Sequence, residues 1–359
     1  MKIRRSCISS AAGPERIMAI CCIFAVLLSS VSCQAPARKN KTKIKIGVLV
    51  YDEGDTFLKG AINEMIKSAK EKSRGKADVT ITVGDASGDQ NTQNDQMEDM
   101  IANGCNVLAI NLVDRTDPTY IINLARKNDV PVVFFNRELV RHDLDRWNRL
   151  YYVGAPAVRS GMMQGEEIAD YVKKHPEIDR NGDGSIQYVL IKGELNHQDT
   201  IIRSEKSVST AASYGLNLDR LAEESANWSR AQAQNRMSQL INEYGDKIEL
   251  VICNNDDMAL GVIDDYKKRG KKTKELPAVF GVDGTAEVLK CVEKGELKGT
   301  VYNDAISQAD KIMELSIALA EKKDVSQVTG SNERSFYIDY QKVTRDNASS
   351  FAAKLGDQE

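Results

Sequence analysis

Short, near-continuous apolar runs recur along this chain, and each is followed by a longer segment whose apolar residues return every three or four positions. That alternation leaves little choice of architecture. Runs without polar interruption read as strands buried on both faces, and amphipathic segments between them read as the crossover helices of a parallel sheet. Strands are expected at 43–51, 79–83, 106–110, 130–135 and 151–153 in the first half. Leu58, Ala61, Ile62, Met65, Ile66 and Ala69 mark one face of a first helix, and a second, at 93–102, stops at Gly104. Leu139 to Leu150, crowded with Arg and Asp, reads as a surface excursion. The second half repeats the alternation, with strands at 186–191, 218–223, 248–253, 277–282 and 299–302. Helices fall at 160–173, 200–214, 229–243, 257–268, 285–294 and 305–321. No Pro/Gly/Ser-rich linker separates the halves. The expected fold is therefore α/β, with two doubly wound parallel-sheet lobes, several crossings of the chain between them, and a crevice at the join.

Seven of the apolar runs end at, or within a few residues of, an Asp, Asn, His or Arg. The residues reached are Asp55, Asn111, Asn136, the set His197, Asp199 and Arg203, the set Asn254, Asn255 and Asp256, then Asp283 and Asn303. Ligands of open parallel sheets bind beyond the carboxyl ends of the strands, so these side chains are expected to face one. Carboxylates, planar amides and a guanidinium are the groups that read a polyhydroxylated molecule. A net charge of −3 over 359 residues offers no basic field for nucleic acid.

The amino terminus reads as an export segment. Lys2, Arg4, Arg5 and Arg16 precede an apolar stretch from Ile17 to Leu28, too short to span a bilayer. Ser30-Val31-Ser32-Cys33 follows and resembles a lipoprotein cleavage box with Cys33 as the acylated residue, although Ser30 stands where Leu is usual. Residues 1–33 are thus expected to be a lipoprotein signal peptide and 34–42 a polar tether. Beyond them only Cys105, Cys253 and Cys291 remain, with no zinc spacing, so buried inert thiols are expected.

The strongest local motif is Asp179-Arg180-Asn181-Gly182-Asp183-Gly184-Ser185-Ile186-Gln187. It places oxygen donors at positions 1, 3, 5 and 9 and Gly at position 6 of a calcium loop, with a main-chain carbonyl at 7. Leu190 stands where an EF-hand needs a bidentate Glu, and the loop runs into a strand. A remote carboxylate must close the shell.

Together NDQMEDMIANG, LAINLVD, VPVVFFN, YYVG, DRNGDGSIQYVLIKGE, NNDDMALG, VFGVD and GTVYNDA, in this order between about Lys43 and Asn303, carry a resemblance. The chain resembles the galactose/glucose-binding branch of the bacterial type I periplasmic binding proteins, the sugar-binding components of ABC transporters. The resemblance implies an amino-terminal lobe of 43–154 with about 304–336, and a carboxy-terminal lobe of 155–303 with about 337–359. It implies that Asp55, Asn136, His197, Asp199, Arg203, Asn255, Asp283 and Asn303 hydrogen-bond D-glucose or D-galactose, while Phe57 and Trp228 cover the two faces of the ring. It also implies a structural calcium ion held by Asp179, Asn181, Asp183, Ser185 and Gln187, with Glu249 as the remote carboxylate. No catalytic step belongs to the family. A monomer in the periplasm is expected, delivering its sugar to an inner-membrane permease, with a chemoreceptor as a further partner.

Each residue has a plainer reading. Trp228 serves equally well as core and Phe57, taken alone, better as core; His197 beside Asp199 suggests an acid-base pair but reads more plainly as a satisfied loop histidine; and Asn254 to Asp257 reads as a helix cap, in which Asn255 is expected to face the ligand and Asp256 or Asp257 to cap. Arg203 is expected to present a fork of donors to adjacent sugar oxygens, and Asp304 to stay solvated or make a surface ion pair of small worth. Rival functions are a sugar sensor without transport and an exported glycoside hydrolase, which would need two acids at a suitable separation and a path for water.

Overall fold

A computed structural model describes residues 42–356. The strands are β1 (Thr42–Val50), β2 (Ala77–Asp85), β3 (Val107–Ile110), β4 (Val132–Phe135), β5 (Leu150–Gly154), β6 (Ile186–Lys192), β7 (Leu218–Ser225), β8 (Leu250–Cys253), β9 (Ala278–Asp283), β10 (Gly299–Tyr302), β11 (Ser335–Tyr337) and β12 (Gln341–Thr344). They form two six-stranded sheets, ordered β11-β5-β4-β3-β1-β2 and β12-β10-β9-β8-β6-β7. Every pairing is parallel except β10 with β12. The two sheets are the centres of two α/β lobes.

Strand period decides the packing, because successive side chains leave opposite faces of a sheet. In the first lobe Val48, Ala109 and Val133 join one core layer, while Leu49, Leu108 and Phe134 join the layer on the other face. In the second, Val189, Val251 and Val279 oppose Leu190, Ile252 and Phe280 in the same way. Burial on both faces is what the unbroken apolar runs require.

The chain passes between the lobes three times. Ala155-Pro156 leads from β5 to helix Ala157–Lys174, which packs on β9, β10 and β12. Asn303-Asp304 leads back from β10 to helix Ala305–Ala320, which packs on helix Thr56–Ser73 and the first sheet. Ile338 to Tyr340 then joins β11 of one sheet to β12 of the other.

The segment 139–150 runs over the surface as expected, but it is tied down: Arg141–Leu144 forms a helical turn, Leu139 and Leu144 are buried, and Arg334 holds it by Leu144 O and Asp145. β11 and β12 escaped notice because SFY and QKVT are short and polar, with no apolar run to mark them. The leader, Cys33 and the tether to residue 41 lie outside the described residues. Cys105, Cys253 and Cys291 are free and buried, and burial pushes the Cys291 thiol up to about 11.

Candidate functional site

The loop after β1 brings Tyr51, Asp55 and Phe57 together. Asp55 caps helix Thr56–Ser73, its Oδ1 accepting from the Leu58 N–H at 3.0 Å and its Oδ2 from the Tyr51 hydroxyl at 2.9 Å. Asn136 follows β4 with φ +61°, a left-handed backbone that Asn tolerates better than most residues. Asn111 Nδ2 donates to its Oδ1 at 3.0 Å, leaving the Asn136 amide N–H groups for the crevice. Asn111 was itself expected to face a ligand. Fully buried, it instead braces Asn136 and accepts from the Tyr51 N–H.

The second lobe supplies the other seven. His197 caps helix Gln198–Ser213 by accepting the Asp199 N–H at Nδ1, 3.1 Å away. That bond assigns the ring proton to Nε2 and makes His197 a donor there. One helical turn on, Arg203 is held by Ser160 Oγ (3.1 Å), Asn254 O (2.9 Å), Asp199 Oδ2 (2.9 Å) and Tyr340 OH (3.1 Å), with Asp283 Oδ1 at 4.0 Å. The expected fork to a ligand is therefore wrong. The protein itself takes most of the guanidinium's donors, leaving Nη1 a free N–H. Asn254 is likewise a brace, accepting from Gly193 N and Ser204 Oγ.

Asn255, and not Asp256 or Asp257, caps helix Asp256–Lys268. Its Oδ1 accepts from Met258 N at 3.0 Å, and its Nδ2 donates to Trp228 O at 3.3 Å. Asp256 lies fully buried behind it, accepting from Thr300 Oγ1 at 2.6 Å and Thr285 N at 2.8 Å, and burial pushes its carboxyl up to about 6. Asp304 is buried too, capping helix Ala305–Ala320 and binding Lys354 at 3.0 Å, so it makes the expected kind of ion pair but is not solvated. Asn303 Nδ2 donates to Asp283 Oδ1 at 3.4 Å.

All ten residues expected from the sequence line one narrow cavity of about 30 Å³, together with Tyr51, which sequence reasoning missed although it is the last apolar residue before the loop. Phe57 enters from one lobe and Trp228 from the other. The His197 ring meets Trp228 edge-on at 5.1 Å. Gly193 lies so close under the indole that a Cβ there would approach Trp228 ring carbons to 2.3 Å. Trp228 has φ +62° and Asp283 φ +126°, so three of the ten sit in backbone conformations that side chains rarely adopt, strain of a kind that clusters at ligand clamps. Across the crevice Thr56 Oγ1 donates to Asp257 Oδ2 at 2.5 Å and Arg137 Nη2 pairs with Glu194 Oε2 at 2.8 Å, its guanidinium stacked 3.7 Å above Tyr51. These bonds hold the lobes closed.

Burial dominates the electrostatics. It raises the carboxyls of Asp55, Asp199 and Asp283 above the ordinary range, even though Arg203 pulls Asp199 and Asp283 the other way. Burial also drives His197 well below its usual value, helped by Arg137 and Arg203, so the ring is neutral. The cavity wall thus combines buried acceptors with a few fixed N–H donors.

The loop 179–187 curls around its first residue. Asp179 Oδ1 accepts from Gly182 N (2.7 Å) and Asp183 N (3.2 Å), and Oδ2 from Gly184 N (2.9 Å). Gly184 has φ +77°, the turn its position demands. Asn181, Asp183 and Gln187 face one another through Asn181 Nδ2 to Asp183 Oδ2 and to Gln187 Oε1. Buried Glu249 caps the loop, accepting from Arg180 N at 2.6 Å and Gln187 N at 2.9 Å, while Ser185 Oγ turns outward to Asn217. Among the described residues no three His, Cys, Asp or Glu side chains form a ready metal cluster. A cation here would need the amide and main-chain carbonyl oxygens too. That all-oxygen set suits calcium.

Two lobes, three crossings and a polar cleft at strand ends define a ligand clamp. The chain belongs to the periplasmic binding proteins: the family model described as a periplasmic binding protein domain matches residues 46–324. It is 35% identical over 331 residues to the D-galactose/methyl-galactoside binding periplasmic protein MglB of Haemophilus influenzae, covering 91% of this chain and 96% of that one. A putative rhizopine-binding protein of Rhizobium meliloti is 29% identical, over 77% of this chain and 83% of its own. Among solved structures, an ABC transporter solute binding protein from Bacillus halodurans C-125 with bound myo-inositol superposes with a TM-score of 0.71 at 25% identity, covering 88% of this chain and 99% of that one.

Proposed function

We propose that the protein binds one molecule of D-glucose or D-galactose in this cleft and delivers it to an ABC permease of the inner membrane. The observation that carries the reading is the convergence of all ten expected residues on one cavity with matched capacities left over. A hexose hydroxyl donates once and accepts twice. Asp55, Asp199 and Asp283 retain acceptor lone pairs, while His197 Nε2, Asn136 Nδ2 and one Arg203 N–H retain donors. Phe57 and Trp228 supply flat apolar surfaces for the C–H faces of a pyranose. Arg203 binds Asp199 and faces Asp283, so these carboxylates serve a guanidinium and not the acid-base pair of a hydrolase. Calorimetry of protein stripped of bound sugar tests the reading, with glucose, galactose, ribose and myo-inositol as ligands. A hexose is expected to bind at micromolar or lower concentration and the others at least tenfold more weakly; preference for inositol or ribose would overturn the hexose assignment.

Closure follows from the same charges. Three buried carboxyls, only two of which face Arg203, disfavour the closed form without ligand, and hydroxyl donors from the sugar offset that cost, shifting the population towards closure. Because burial raises these carboxyls, their support for the closed form is complete below about pH 4 and is lost as pH rises through the raised values. The sugar-free protein is therefore expected to have a larger radius of gyration at pH 8 than at pH 4 in solution scattering, and the loaded protein the same radius at both. Equal radii without sugar would remove the carboxyls from the closure balance.

Calcium in the loop 179–187 belongs to this proposal, with Asp179, Asn181, Asp183, Gln187 and Glu249 as side-chain ligands and Ser185 contributing its carbonyl. Its role there would be to tie the loop and β6 to Glu249. Chelation is expected to lower the melting temperature by several degrees with little change in sugar affinity. An unmoved transition in metal-depleted buffer would refute the assignment. Residence in the periplasm, a lipid anchor at Cys33, a monomeric state and a chemoreceptor partner complete the proposal. Among the described residues no helix is long and apolar enough to cross a membrane.

A further inference from the structure

A cavity of about 530 Å³ lies in the second lobe near the amino ends of β9 and β10, whereas Asp283 and Asn303 meet the hexose cleft at their carboxyl ends. Four separate stretches build it: the end of helix Ala157–Lys174, the turn at Thr273 and Lys274, the segment Val292 to Lys298, and Thr344 to Asp346. Its floor is apolar, formed by Tyr171, Phe280, Val292 and Leu297, with the Tyr171 ring edge-on to Phe280 at 5.8 Å and stacked on His175 at 4.2 Å. Its rim is cationic. The side chains of Lys174, Lys274, Lys294 and Arg345 make no hydrogen bond or ion pair among the described residues, and they outnumber the two exposed acids beside them, Asp170 and Asp346.

One wall holds an anomaly. Glu167 is only 4% exposed, yet neither of its carboxyl oxygens makes a hydrogen bond; the ammonium of Lys342 nearby is taken by Glu166 at 2.6 Å. A buried carboxyl without a partner is costly, and burial raises its pKa well above the ordinary carboxylate range, opposed only in part by the charge of Lys342. Nothing in the hexose cleft uses this group. An apolar floor, a ring of unpaired cations and one buried polar group without a partner are the makings of a small-molecule pocket.

We propose that this cavity is a second binding site, separate from the hexose cleft, for a small organic anion with an aromatic or aliphatic body. The acid group would sit among the rim cations, the body on the Tyr171, Phe280 and Leu297 floor, and a polar substituent would hydrogen-bond Glu167. The probe is anilinonaphthalene sulfonate, an aromatic anion whose emission rises on burial, titrated into the full-length protein with and without saturating galactose. Saturation at one site per chain is expected in both states, with displacement by phenyl phosphate but not by equal inorganic phosphate, since only the former has a body for the floor. The exposed double variant Lys274→Glu, Lys294→Glu is expected to bind the probe at least tenfold more weakly at an unchanged melting temperature and hexose affinity. Absence of saturation, undiminished binding in the double variant, or loss of the probe on adding galactose would each overturn the proposal.

Discussion

Asp283→Ala is expected to weaken hexose binding roughly ten- to hundredfold, because hydrogen bonds to a charged group contribute roughly 1.5–3 kcal/mol each. The side chain is 8% exposed and stands between Arg203 Nη1, at 4.0 Å, and Asn303 Nδ2, at 3.4 Å. Its loss removes an acceptor and frees the Asn303 Nδ2 donor, which a sugar oxygen must then satisfy alone. Folding stability is expected to change far less, since burial already opposes the charge and removal relieves it. The φ of +126° complicates an Ala substitution, so Asp283→Gly serves as the control that relaxes the backbone. Calorimetry and thermal melts of both variants check this. Unchanged affinity in either would remove Asp283 from the site.

Gly193→Ala is expected to be nearly as damaging, although Gly193 does not line the cavity. One methyl group would stand 2.3 Å from the Trp228 ring, so the indole must move. Overpacking of this kind costs roughly 1–3 kcal/mol where neighbours cannot yield. Trp228 is pinned by the bond from Asn255 to its carbonyl and by its strained backbone, so the displacement falls on the ring that covers the sugar. Tenfold or greater loss of affinity with a shifted tryptophan emission maximum is the expected signature. Normal binding would mean that the indole plane is dispensable or that the backbone at Gly193, just after β6, yields instead.

The sheets were legible in the sequence because burial on both faces forces unbroken apolar runs, and the cleft because the polar residues that end those runs stand out against them. Which of those residues point into the cleft was not legible. Asn111, Asn254 and Asn255 share a residue type and a place after a strand, yet Asn111 and Asn254 brace the wall while Asn255 caps a helix and also lines it. Register and backbone twist decide that, and neither is written locally. Tyr340, which holds Arg203 from the third crossing, and the bonds from Thr56 to Asp257 and from Arg137 to Glu194 join residues too distant in sequence for any pattern to pair. The left-handed backbone at Asn136 suits its residue type. At Trp228 it does not, and only the fold explains it.

A crystal structure of the protein loaded with D-galactose or D-glucose tests the central claim most directly. The account requires one pyranose in the cleft between Phe57 and Trp228, within hydrogen-bonding distance of Asp55, His197 Nε2, Asp283 and one Arg203 N–H. A sugar bound elsewhere, or a cleft that stays empty at saturating hexose, would contradict it.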